Sequence, residues 1–207
     1  MKRKSILKYA VLALLASVGT VLMCYVKIPY PIAPFLEIEV SDFVVIFAYL
    51  LFGFKEALLV GVLKTLANLI FLGPVGPYAV GQITALIASM SYVLAFFLAN
   101  LIIRSDKIGF KIIKYVLVCL FVSTIMVIAN YFFLTPIFLG KMSFLDMTGD
   151  SLASITGINS YLLSIIVLYY PFNLLKGALI SILAILIGDV VLKIFQNKIK
   201  KESDTGA

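Results

Sequence analysis

"KEALLVGVLKTLANLIFLGPVGPYAVGQITALIASMSYVLAFFLANLII" (residues 55–103) decides the class of fold. Two apolar runs flank GPVGP (Gly73–Pro77), which cannot continue a helix. The first run approaches, and the second exceeds, the ~20 residues that carry a helix across ~30 Å of hydrocarbon. They are read as crossings over 55–72 and 78–103. Neither is purely apolar: Lys64 and Asn68 stand one helical turn apart in the first, and Gln82 opens the second.

The pattern repeats outward. Further spans are expected over 6–26, 40–52, 112–133 and 171–195, with a basic tail over 196–207. "KIPYPIAPFLEIEVSD" (27–42) carries three prolines and is read as a loop. "YLLSIIVLYY" (161–170) is too short to cross, and the segment 153–170 is expected to form a short outer helix over the fold. Composition agrees. Of 207 residues, 63% are hydrophobic and 13% charged, against roughly half and a quarter in soluble domains. The expected fold is an all-α integral membrane protein, one membrane domain over 1–207 with six transmembrane helices. No internal repeat of the kind that builds a self-sufficient transporter is visible.

The formal charge of +7 follows topology rather than nucleic-acid binding. Basic residues gather at the N-terminus (Lys2, Arg3, Lys4, Lys8), at Lys55, from Arg104 to Lys114 and in the tail. The opposite loops hold only Lys27 and Lys141, with Glu37, Glu39, Asp42, Asp146 and Asp150. Both termini are therefore expected on the cytoplasmic side of a cell membrane. The basic start followed by an apolar run is read as a retained helix, being too long for a signal peptide.

Polar side chains inside membrane spans are costly, so each is informative. Asp42, Lys64, Asn68, Gln82, Asn130, Asn173 and Lys176 all fall in the outer half on this topology, and Asp189 lies near the inner end. Singly, each amide reads equally well as helix–helix glue. Lys64 reads as the partner of Asp42, Lys176 as a snorkelling lysine, and Asp189 as an interfacial residue beside cytoplasmic lysines. Their common depth favours a pocket open to the outside, with aromatic walls from Phe35, Phe43, Tyr131, Phe132 and Phe172. Amides and a lysine in an apolar enclosure suit a planar heterocycle with carbonyl and imide groups. There is no histidine, no paired acid and base, and no GK[ST] to close a phosphate loop, so neither catalysis nor ATP hydrolysis is expected. Cys24 and Cys119 lie in apolar runs and suggest neither a disulfide framework nor a metal site.

Four stretches together carry a resemblance: "FLEIEVSD", "LLVGVLKTLANLIF", "IANYFFLTPIF" and "YYPFNLLKGALI". In this combination, over nearly the whole chain, the sequence resembles the riboflavin-specific (RibU-type) S components of bacterial energy-coupling factor (ECF) transporters. The resemblance implies a vitamin-capturing subunit with riboflavin as cargo, FMN as a further candidate ligand, and no cofactor. It implies docking on an ECF module of a transmembrane T subunit and two ABC ATPases. It also implies that Asn130, Asn173 and Lys176 hydrogen-bond the isoalloxazine ring. Leu36 would border the ligand and Gln82 would face its ribityl chain or ring edge. The family's A-x-x-x-A docking stripe on the first helix is replaced here by Ala13–Ser17 and Ala16–Thr20. An S component for thiamine, biotin or pantothenate is the first alternative, and a membrane scaffold without transport the second.

Overall fold

A computed structural model describes residues 2–105 and 107–204. Side chains are described over 6–188, apart from Asp106, and at Val190. The side chains of Lys2, Arg3, Lys4, Asp189 and the tail lysines, whose placement bears on the orientation, lie outside the described residues.

The order of elements is α1 (Lys2–Tyr25), β1 (Lys27–Tyr30), β2 (Ala33–Glu39), α2 (Asp42–Phe52), α3 (Phe54–Leu72), α4 (Val80–Ile102), α5 (Ile108–Ala129), the short α6 (Thr135–Phe138) and α7 (Ala153–Thr156), and α8 (Tyr161–Asp204). Among the described residues four helical segments are long and apolar enough to cross a membrane: Ile6–Tyr25, Pro77–Ile102, Ile108–Phe138 and Tyr161–Gly188. The six expected spans are thus four by this measure. α2 has 11 residues and rises only ~16 Å. α3 has 19 residues but carries Lys55, Glu56 and Lys64.

α2 is nonetheless the centre of the packing. It touches α1, α3, α4 and α8, and Asp42 and Val44–Ala48 are all buried. Gly53 turns the chain between α2 and α3 at φ 97°, a left-handed conformation that favours glycine. Elsewhere small residues let helices approach. A Cβ at Gly61 would stand 3.2 Å from Ser89 of α4, and one at Gly177 only 2.6 Å from Cys119 Sγ of α5.

Three expectations are corrected. The proline-rich stretch after α1 is not a loop but an antiparallel hairpin, pairing Lys27 with Glu39 and Ile28 with Ile38. A two-stranded ribbon has only edge strands, so Pro29 and Pro34 deprive no third strand of a donor. The last helix does not start at Pro171. It runs unbroken from Tyr161, with Pro171 inside it, so "YLLSIIVLYY" is its first part rather than a separate cover. The fifth span does not end at Phe133: after Ala129 the backbone widens into a π-helical turn, Asn130–Leu134, and continues through α6.

Two buried clusters matter for the site. One joins α4, α5 and α8 around Tyr92, Phe96, Val118 and Ile180. The other joins the hairpin to the start of α8 through Tyr30, Ile38, Leu152, Tyr161, Ile165 and Phe172. A cavity lies between them.

Candidate functional site

The cavity holds about 200 Å³. A single water needs about 10–15 Å³ on the same measure, so there is room for a multi-ring molecule. Its wall combines apolar groups (Met23, Phe35, Leu36, Val80, Met126, Leu134, Phe138, Phe172) with a few polar ones: Asn68, Gln82, Asn130, Asn173, Lys176 and Glu39. A mostly apolar enclosure with a few convergent polar groups is the usual form of a small-molecule site.

Six of the seven expected ligand residues line this space: Leu36, Asn68, Gln82, Asn130, Asn173 and Lys176. Their roles divide. Both N–H donors of Gln82 and one side of its oxygen are taken by protein. Its Nε2 donates to Asn68 Oδ1 and to the Gly73 carbonyl, and its Oε1 accepts from the Val75 N–H, all at 3.0 Å. Asn68 Nδ2 in turn donates to Cys24 Sγ at 3.2 Å. This pair staples the Gly73–Ala79 loop to α3 and α4, the glue that each amide alone suggested. The loop it holds is strained: Tyr78 and Ala79 sit at φ 51° and 57° without being glycine.

Asn130 and Asn173 are arranged differently. Each amide nitrogen donates back to its own helix, Asn130 to the Met126 carbonyl at 2.8 Å and Asn173 to the Tyr169 carbonyl at 2.7 Å. Asn130 Oδ1 lies 3.3 Å from Thr135 Oγ1. Among the described residues no group donates to Asn173 Oδ1, so it is an acceptor left for the cavity. Asn130 opens the π-helical turn, a local widening often found at functional sites. Tyr161 Oη secures that turn by donating to the Tyr131 carbonyl at 2.9 Å.

Asp42, the seventh, does not line the cavity. It is fully buried beneath it at the first residue of α2, where the helix N-terminus favours a negative charge. Its Oδ1 accepts from Lys64 Nζ at 2.7 Å and from Ser89 Oγ at 2.6 Å. Lys64, also fully buried, donates to Ser41 Oγ as well. The expected Asp42–Lys64 pair is therefore present.

Lys176 does not snorkel. Its Nζ donates to Glu39 Oε1 at 2.7 Å and lies 3.1 Å from Asp42 Oδ2. Glu39 is the site residue that sequence reasoning missed, having read it only as an outer-loop acid. Its other oxygen accepts from the Ser41 N–H at 2.8 Å. Burial works against the charged form of Glu39, but the ammoniums of Lys176 and Lys64 outweigh it and hold the carboxyl below its ordinary range. Two carboxylates and two ammoniums thus form one buried, charge-balanced set. Nearer the mouth, Lys27 pairs with Glu37 at 2.7 Å within the hairpin.

Of the expected aromatic walls, Phe35 and Phe172 line the cavity. Phe43 packs instead into the core, stacked on Phe47, while Tyr131 and Phe132 join Phe144 in a separate ring cluster. The four small residues of α1 also divide. Ala13 and Ser17 are exposed, but Ala16 and Thr20 are buried, with Thr20 Oγ1 bonded to the Ala16 carbonyl and 3.4 Å from the Lys64 carbonyl. Ala16–Thr20 therefore faces α3 and cannot serve as an outer docking stripe.

Comparison with known proteins gives consistent results. The family model for the ECF transporter, substrate-specific component, matches residues 7–188. A curated protein of Staphylococcus aureus, named Riboflavin transporter RibU, is 32% identical over 85% of both chains. A protein of the same name from Streptococcus thermophilus is 27% identical over 84% of this chain and 78% of its own. A solved structure of the S component of a bacterial ECF transporter superposes with a TM-score of 0.66, covering 97% of this chain and 99% of that one at 23% identity. The match spans the hairpin, the cavity and all four long apolar helices, and on that breadth the chain belongs to the family of ECF transporter substrate-specific components.

Proposed function

We propose that the chain is the riboflavin-capturing subunit of an ECF-type importer, binding the vitamin in the cavity between the hairpin and α8. The observation that carries this is the meeting of Asn130, Asn173 and Lys176 on one wall of a largely apolar cavity. The name shared by the two curated relatives supports the choice of vitamin. The unpartnered Asn173 Oδ1 accepts from the ring imide, and Asn130 faces the neighbouring ring edge. Lys176 donates to a ring carbonyl or N1, and Leu36 covers the ring from the hairpin. Asn68 and Gln82 shape the ribityl end, and Asp42 acts from below by holding the charges. A ligand lacking the imide would leave the Asn173 Oδ1 acceptor unpaired, at roughly 1–3 kcal/mol.

The same reading takes the chain as one membrane unit with both termini cytoplasmic. α2 and α3 complete six crossings as a helical pair inside the four longer spans. The exposed Ala13–Ser17 face of α1 meets the T subunit, and the two ATPases supply the energy. The subunit binds and delivers but performs no catalysis.

Expression in a riboflavin auxotroph at limiting vitamin tests this. Growth is expected with the ECF module and not without it. Growth restored by thiamine, biotin or pantothenate in the matching auxotroph, and not by riboflavin, would assign another cargo.

A further inference from the structure

We propose that Glu39 is a positioning residue: it fixes the ammonium of Lys176 at the cavity wall, so that the hairpin sets how the ligand is held. This rests on the riboflavin reading above and adds to it a residue on which ligand geometry depends.

Lys176 Nζ has three N–H donors. Among the described residues only Glu39 Oε1 takes one as a hydrogen bond, at 2.7 Å. Asp42 Oδ2 is close, at 3.1 Å, yet accepts no hydrogen bond and balances charge only. Lys64 is no substitute, since its own bonds go to Ser41 and Asp42 Oδ1. Glu39 therefore supplies the shorter, hydrogen-bonded hold on the Lys176 side chain, and Asp42 the ion pair beside it. Glu39 is itself held rigidly, because its second oxygen accepts the Ser41 N–H at 2.8 Å. The two residues are 137 positions apart, and both are more than nine-tenths buried. Their contact is where strand β2 meets α8 at the cavity. The remaining donors of Lys176 are left for a ring acceptor.

Glu39→Gln removes the charge, and Glu39→Asp keeps the charge but withdraws the oxygen by one methylene. Purified wild type, E39Q, E39D and the remote control E56Q would be loaded with riboflavin. The dissociation rate and the visible absorption bands of the bound flavin would then be recorded. E39Q is expected to release flavin about tenfold faster or more, as when a buried charge pair loses one partner, and E39D to release it faster as well, because its shorter arm draws the ammonium away from the ring. Their flavin bands should also move, because the ammonium no longer sits at the ring. E56Q should match wild type in both. If E39Q fails to fold, E39D decides, since the buried set keeps its charge balance. Wild-type release by folded E39D would overturn the proposal. So would faster release with unmoved bands, which would make Glu39 a hairpin anchor that leaves Lys176 in place. A wild-type protein that binds no riboflavin overturns the function itself, and the loading step shows this separately.

Discussion

Lys64 has no accessible surface, and its ammonium is held by Asp42 and Ser41. Removing one partner of a buried pair strands the other, at about 3–5 kcal/mol. Lys64→Met should therefore abolish a cooperative melt or lower it steeply. The double change D42N/K64M leaves Glu39 and Lys176 balanced and should recover much of that loss, read by thermal unfolding in detergent. At the ligand wall the prediction concerns affinity. Asn173→Leu should weaken riboflavin binding at least about tenfold and lower the melt only modestly, because the free Oδ1 acceptor is lost together with a single bond from Nδ2 back to its own helix. Gln82→Leu should do the reverse. It strands the Val75 N–H and the Gly73 carbonyl, so the ligand-free melt should drop first. The sequence exposed this polar set because amides and lysines stand out in apolar runs. It could not divide the set into ligand groups and staples, since that depends on which lone pairs the fold has already filled. Glu39 was hidden for a related reason. In a proline-rich stretch an acid reads as solvated, and only the hairpin turns it inward.

At the scale of elements, the hairpin and the α5–α8 contact each make a prediction. Glu39 has a folded-state pKa below its ordinary 4.5, so its stabilising contribution is complete above that value and is lost as pH falls through the lower folded value. The melt of wild type should therefore exceed that of E39Q by a constant margin from about pH 8 to 5, and the margin should shrink only in more acid buffer. A margin already shrinking between pH 8 and 6 would contradict the depressed pKa. Where α8 crosses α5, Gly177→Ala places a methyl 2.6 Å from Cys119 Sγ, closer than packed atoms approach. Overpacking of this kind costs about 1–3 kcal/mol. Adding Cys119→Ala should return part of that stability, and a melt unaffected by G177A would show that the helices part freely. Element boundaries were legible where glycine and proline mark turns, as between α3 and α4. They failed at Pro171, where the helix absorbs the proline, as membrane helices can when neighbouring groups re-satisfy the backbone.

For the whole molecule, the long spans were legible from their length and apolarity. The central place of α2 was not. An 11-residue helix reads as a short crossing, and its length gives no sign that α1, α3, α4 and α8 pack around it or that it carries Asp42 under the cavity. That arrangement joins hairpin, cavity floor and α8 through one buried set of charges, with the ligand wall resting on it. The direct measurement is a fluorescence titration of riboflavin with the purified chain in detergent. Saturable quenching at one riboflavin per chain, with Kd below about 1 µM, is the predicted result. Absence of saturable quenching by a folded protein would contradict the account.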